Sequence, residues 1–197
     1  MATADLPLTR DRIIETAAEV VRRHGPAKAT VVDVARALGV SHAAVYQHVA
    51  SKAQLRELVV QRWVEATMAP LRAVAARAGP APARLREFFD TLIAIKRRRA
   101  AKDPELFSAY RILAADTRSV ATAHVDELID LAAAIIRSGI KEGAFRKVDP
   151  LSAARSVLFA TLRFHHPVHA AEWVDPGIDA AFEGVWDLLM NGLATAR

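Results

Sequence analysis

The chain contains no cysteine among its 197 residues. This absence excludes disulfide frameworks, thiolate nucleophiles and zinc sites with cysteine ligands, and it suits a reducing compartment. Long apolar runs are also missing, because no segment joins about eighteen apolar residues without a charge. The first twelve residues lack the basic start and apolar stretch of a secretion signal. We therefore expect a soluble, cytoplasmic protein that needs no cofactor and does not enter a membrane.

The alternation of apolar and polar residues that is typical of strands does not persist in any part of the sequence. Apolar residues recur instead at spacings of three and four, which predicts an all-α protein. Pro70 is expected to kink a long fourth helix. Helices are predicted at about 9–24, 30–38, 41–48, 51–78, 83–101, 104–115, 119–142, 150–166 and 176–195.

Positive charge is concentrated near the N-terminus. The chain has 27 Lys and Arg against 22 Asp and Glu, which makes the formal net charge +5. Up to Arg62 there are 9 basic and 6 acidic residues, and the remaining two thirds have 18 and 16. Such an excess is expected of a part that meets a polyanion, although an ordinary surface can carry as much.

Residues 30–48 fit a helix-turn-helix unit, in which the second of two short helices enters the DNA major groove. Ala35 is small enough for two helices to cross closely, and Gly39 suits a left-handed turn between them. The third helix then leaves a set of side chains exposed to bases and phosphates. They are Ser41, His42, Ala43, Tyr46, Gln47 and His48.

The stretch TVVDVARALGVSHAAVYQHVASKAQL, residues 30–55, resembles the TetR family of bacterial transcriptional regulators. The likeness covers about residues 9–60 closely, and the remainder only through length and helical pattern. It implies an N-terminal three-helix DNA-binding domain at 1–55. A helical bundle for ligand binding and dimerisation would follow at 56–197. The resemblance also implies that this is a DNA-binding regulator and not an enzyme.

Carried over position by position, the resemblance divides the DNA-binding residues by role. Val49 stands where the family usually has Phe, and Val32 stands where some members place a base-contacting Arg, so base readout is expected to be thin. The residues implied to face bases are His42, Ala43 and Gln47, and those implied to contact phosphates are Thr30, Ser41, Tyr46, His48 and Lys52.

The family likeness further implies a ligand-responsive regulator, with a repressor as the favoured form. It would bind a palindromic double-stranded operator as a homodimer through its last two helices. A mostly apolar pocket with a few polar groups would suit a small hydrophobic or aromatic effector. The pocket residues we predict are Trp63, Phe88, Leu92, Phe107, Tyr110, Phe159, Arg163 and Trp173.

Two basic features leave alternatives open. His165 and His169 would share a face on a continuous helix and could hold a metal, which makes an all-α metal-binding enzyme the alternative function. Pro167 interrupts that helix, and no carboxylate spacing completes a zinc site, so no metal is expected. The run KRRR at 96–99 is interpreted as a solvated helix face, the alternatives being contact with flanking DNA, a membrane or an acidic effector.

Overall fold

The computed structural model describes residues 7–195, and this part of the chain is helical, as the sequence predicts. A single bridge between Phe145 and Ala194 is its sole β-type pairing. Within the described residues, no helix is both long and apolar enough to cross a membrane. The helices are α1 (Arg10–Lys28), α2 (Val31–Leu38), α3 (His42–Tyr46), α4 (Lys52–Ala76), α5 (Ala81–Lys102), α6 (Pro104–Asp116), α7 (Arg118–Lys141), α8 (Pro150–Ala160), α9 (Leu162–His165), the 3-10 helix Pro167–Glu172 and α10 (Ile178–Leu193).

The chain divides into two compact units. The first unit consists of 1–64 with 103–121, and the second of 65–102 with 122–197. These units do not coincide with the predicted domains 1–55 and 56–197. Helix α6 packs on α1, and its Ala109, Tyr110 and Leu113 belong to the same apolar core as Ile13 and Val20. The predicted boundary between residues 55 and 56 separates DNA binding from effector binding, and this division by function stays a prediction.

The ends of the first helices follow from local chemistry. Thr9 caps α1, because its hydroxyl accepts a hydrogen bond from the amide of Arg12 at 3.2 Å. Gly25 interrupts the helical backbone with φ 75° and ψ 159°, directly after residue 24, where the first helix was predicted to end. Helix α4, in contrast, runs on through Pro70.

The second unit is built on the apolar face of α5, where Phe88, Phe89 and Leu92 are fully buried. Helices α5 and α7 run antiparallel. Arg84 on α5 donates to the Ser138 hydroxyl on α7 at 2.7 Å, and the carboxylate of Glu142, just after α7, accepts from the Ala81 amide at 3.0 Å. Higher residue numbers on α5 are therefore paired with lower residue numbers on α7.

The helix predicted at 150–166 is two helices. Helix α8 ends at Ala160 and α9 covers only Leu162–His165. The hydroxyl of Thr161, between them, donates to the carbonyl of Val157 at 2.8 Å. Helix α9 is followed by the 3-10 helix, so the chain changes direction where the sequence has His166-Pro167.

Candidate nucleic-acid interface

Helices α2 and α3 form a small helix-turn-helix with its own apolar core. Val34, Ala35 and Val45 are buried at 3% exposure or less. Gly39 adopts the left-handed conformation with φ 71°, which a side chain would strain. Its amide donates to the Arg36 carbonyl at 3.2 Å, so the turn closes α2. The short α3 is therefore held by its neighbours, since five residues are too few for an independent helix.

Side-chain caps define where α2, α3 and α4 begin. The Thr30 hydroxyl accepts from the Asp33 amide at 3.2 Å, and Asp33 accepts from the Thr30 amide at 3.1 Å, which completes a capping box. The Ser41 hydroxyl accepts from the Ala44 amide at 3.1 Å. The Ser51 hydroxyl accepts from the Gln54 amide at 3.0 Å. These caps fix the start of the helix that carries the predicted DNA-reading side chains.

The residues predicted to contact DNA lie together on this unit, with different exposures. Tyr46 is 45% exposed, although a side chain of its size could have joined a core. Lys52, the first residue of α4, is partly buried. Of the predicted set, the structure exposes Ser41, His42, Ala43, Tyr46 and Gln47, and partly buries Thr30, His48 and Lys52.

Thr30 differs from the other predicted phosphate contacts in that its proton is already used. Its hydroxyl donates to Asp33 Oδ2 at 2.6 Å. This hydrogen bond is the main reason that the pKa of the Asp33 carboxyl lies below its ordinary value. Contact between the Thr30 hydroxyl and a phosphate would therefore replace an existing bond, whereas Tyr46 has an exposed side chain to offer.

Three of the predicted pocket residues belong to the first unit and form one aromatic group. Trp63 stacks on Tyr110 with ring centroids 4.6 Å apart and an interplanar angle of 6°. Phe107 meets Trp63 edge-on at 5.9 Å. The three rings therefore lie together, and their role in a ligand pocket stays a prediction.

The other five predicted pocket residues belong to the second unit, in differing surroundings. Phe88 and Leu92 are fully buried in its core. Trp173 is buried, and its indole nitrogen donates to the Arg163 carbonyl at 2.9 Å. Arg163 is exposed, and its guanidinium pairs with Glu172 at 2.7 Å. Phe159 is 50% exposed on the outer side of α8.

The histidines of the HHPVH segment lie in different surroundings. His165 is buried on α9, with its Nε2 atom 3.2 Å from the Thr161 hydroxyl. His169 lies on the 3-10 helix and pairs with Glu172 at 2.7 Å, so the two imidazoles do not share a continuous helix. Between residues 7 and 195 no group of three or more His, Asp or Glu could hold a metal ion. The alternative of a metal enzyme finds no support.

The interpretation of KRRR as a solvated face is wrong for Lys96, which is only 5% exposed. Helical spacing explains the burial, because position 96 follows Leu92 by four residues and Ile93 by three, on the buried face of α5. Arg98 is exposed, and Arg97 and Arg99 are partly buried. Taken as a group, the four charges indicate a solvated face, and only the position of each residue on the helix shows that the first of them is buried.

The surroundings of Lys96 are basic. Burial, followed by the charge of Arg99, lowers the pKa of Lys96 to about 8. Burial, followed by the charge of Lys96, lowers the pKa of His124 and of His165 to about 3 each. Both imidazoles are therefore neutral at physiological pH, while the lysine keeps most of its charge.

The first unit thus has the architecture of a helix-turn-helix DNA-binding protein. Two family models match the chain: "Bacterial regulatory proteins, tetR family" at residues 13–59, and "Tetracyclin repressor-like, C-terminal domain" at residues 81–186. The second model alone covers more than half of the sequence. The chain belongs to the TetR family of DNA-binding transcriptional regulators.

Solved structures of the same family share the fold. SmeT, the repressor of the Stenotrophomonas maltophilia multidrug efflux pump SmeDEF, is 19% identical with a TM-score of 0.72, covering 95% of this chain and 91% of SmeT. A SmeT–triclosan complex is also similar, at 20% identity and a TM-score of 0.69, covering 94% of this chain and 91% of that chain. A TetR regulator from Haloarcula marismortui ATCC 43049 is 21% identical with a TM-score of 0.73, covering 94% and 98%.

PfmR from Thermus thermophilus, a TetR family transcriptional regulator, has higher identity and lower structural similarity. It is 28% identical with a TM-score of 0.56, and the match covers 98% of this chain and 100% of PfmR. No curated protein sequence matches the chain.

Proposed function

We propose that this regulator is a repressor that binds a palindromic operator as a homodimer and is released by a small hydrophobic or aromatic effector. The observation that carries the DNA-binding part is the exposed set Ser41, Tyr46 and Gln47 on and beside α3, above a core that holds α3 in place. The hydroxyls of Ser41 and Tyr46 can bond to phosphate oxygens, and the carboxamide of Gln47 can bond to adenine.

Substitutions on the helix-turn-helix test the assignment of its DNA-contacting residues. The DNA sequence that the wild-type protein binds is first selected from fragmented genomic DNA. Tyr46→Ala is expected to weaken binding to all sequences by about tenfold, since a phosphate contact carries little sequence information. Lys52→Met is expected to lower the salt slope by about one. Gln47→Ala is expected to change sequence preference at one position of each half-site.

The control for these variants is Lys102→Met, which removes an exposed positive charge far along the sequence, at the end of α5. It is expected to leave both sequence preference and affinity close to those of the wild type. Unchanged DNA affinity in Tyr46→Ala would show that α3 is not the reading helix.

The dimer part of the proposal is supported by apolar side chains left exposed on the last two α-helices of appreciable length. Leu151 and Phe159 on α8 are 45% and 50% exposed, and Leu188 on α10 is 76% exposed. A Cβ atom built at Gly184 or Gly192 of α10 would meet nothing within 4 Å. Large apolar and small residues together suit close packing against a second copy of α8 and α10.

Release is proposed to act through the spacing of the two reading units in the dimer. Two α3 helices must reach successive major grooves, about 34 Å apart. An effector that binds more tightly to a conformation with a different spacing shifts the population away from DNA binding. Helix α4 is suited to carry the change, because it begins in the first unit at Lys52 and ends in the second at Ala76. The SmeT–triclosan complex supports a small-molecule effector for a protein of this fold.

A further inference from the structure

The interior of the second unit holds basic side chains from three helices. Lys96 from α5 and His165 from α9 are 5% and 4% exposed. His124 from α7 is partly buried. The helices α5 and α9 are in contact, with the Phe89 ring centroid 6.4 Å from that of His165. A buried ammonium next to neutral imidazoles, which can donate hydrogen bonds, suits an anion better than a cation.

The antiparallel direction of α5 and α7 sets Lys96 and His124 at similar levels of the second unit. Arg84 bonds to Ser138, and from that pair Lys96 is twelve residues further along α5, while His124 is fourteen residues back along α7. At about 1.5 Å per residue the two displacements are nearly equal, so the side chains reach the same level of the unit. The effect of the Lys96 charge on the pKa of His124 agrees with this placement.

His124 has an unused hydrogen-bonding atom at this level. Its Nδ1 atom is buried and has no hydrogen-bond partner among residues 7–195. A buried nitrogen without a partner is costly, and a neutral imidazole can use it to donate to an oxygen. Arg99, one turn further along α5 than Lys96, bonds to the buried Thr67 hydroxyl at 2.6 Å. The Arg99 guanidinium thus adds a second positive charge near Lys96, on the side that faces α4.

We propose that the effector of this regulator carries a carboxylate, and that the carboxylate binds between Lys96 and His124 inside the second unit. The Lys96 ammonium supplies a charge-assisted hydrogen bond, and the His124 imidazole supplies a second donor to the other oxygen. The inference rests on the proposed function, because it names the chemistry of the small molecule that releases the DNA.

The carboxylate also makes effector binding depend on pH. The titratable and charged groups around Lys96 include Arg99 on its own helix, His124 on α7, and His165 with the adjoining His166 at the end of α9. The histidines His124 and His165 stay neutral above pH 7, so Lys96 dominates the titration in this range. A bound carboxylate raises the lysine pKa, and affinity is then full below the free-state pKa and falls as pH rises above about 8.

The test compares carboxylates with neutral molecules of the same shape, using the full-length protein. The probes are octanoate, 4-phenylbutyrate and 2-naphthoate, each paired with its primary amide. Binding is measured by calorimetry, and release is measured on the DNA fragment selected as described above. At least one acid is expected to bind about tenfold more tightly than its amide and to release the DNA. Its affinity is expected to fall roughly tenfold between about pH 7.5 and about pH 9.5.

Lys96→Met keeps an unbranched side chain of nearly the same length and removes its charge, and Lys102→Met is the matched control on the exposed end of the same helix. The first variant is expected to abolish the preference for acid over amide and the dependence on pH, and the second to keep both. The inference is overturned if acids and amides bind alike, if no acid of the panel binds, if Lys96→Met keeps the preference, or if the bound acid leaves the DNA in place. Failure to retain any DNA without probes would instead reject the proposed function.

Discussion

Lys96 is the residue whose chemistry the fold changes most. A lysine that is 5% exposed loses most of its hydration, and the neighbouring Arg99 adds repulsion, so the pKa falls from 10.5 to about 8. In the unfolded chain the same ammonium keeps its ordinary pKa. Between these two values the unfolded state binds more protons than the folded state, and the free energy of unfolding therefore rises with pH through this interval.

Lys96→Met is expected to remove this contribution. The difference in unfolding free energy between the wild type and Lys96→Met should change by about 2 kcal/mol between about pH 7 and about pH 10, in favour of the wild type at the higher pH. Urea denaturation at a series of pH values measures it. Lys102→Met, whose ammonium is exposed in the folded state, should follow the wild type throughout. A difference for Lys96→Met that does not vary with pH would contradict the assignment.

At the scale of elements, α7 meets the start of α5 and the loop after α7 at one crowded position. Gly139 is buried there, and a Cβ atom at this residue would lie 2.2 Å from the Phe145 ring and 2.9 Å from the Ala81 side chain. In an exposed helix, Gly→Ala stabilises by about 1 kcal/mol. At Gly139 the space for a methyl group is already filled, so the steric cost of overpacking exceeds the gain in helix propensity.

Gly139→Ala is therefore expected to lower the free energy of unfolding by about 1–3 kcal/mol. Chemical denaturation of the purified protein measures the loss. The matched test is the double variant Gly139→Ala with Phe145→Leu, which removes part of the ring that the new methyl group meets. It should lose less stability than the two single changes added together. Additive losses would show that Phe145 is not the obstacle.

At the scale of the whole molecule, the exposed face of α8 and α10 is the proposed contact between two copies of the chain. Leu188 is 76% exposed, and Arg at this position would place a charge in the proposed contact between copies. Leu188→Arg is expected to make the protein monomeric in sedimentation equilibrium. Its DNA affinity should fall by about a hundredfold or more, because a monomer binds only one half-site.

Val174→Arg is the control for the dimer. Val174 is 86% exposed and lies before α10, so a charge there should disturb neither the dimer nor DNA binding. A dimer that persists in Leu188→Arg would place the contact between copies elsewhere on the surface.

Much of the fold could be predicted from the sequence because its signals are local. The spacing of apolar residues marks the helices, and caps such as Thr9, Ser41 and Gly39 act within a few residues of their own position. The helix-turn-helix was recognisable for the same reason. Its apolar core, its turn and its exposed side chains all lie in one short stretch, residues 30–52.

Contacts between distant segments were decided only by the tertiary structure. The packing of α6 on α1 joins residues 103–121 to the first unit. Nothing in the local sequence pattern indicates that this segment packs on the first helix. The basic cluster is a second case. Lys96 is one charge in a run of four until its helix face is compared with the core, and its neighbours His124 and His165 come from other helices. Burial and electrostatics depend on what surrounds a side chain in space, and sequence distance does not contain that information.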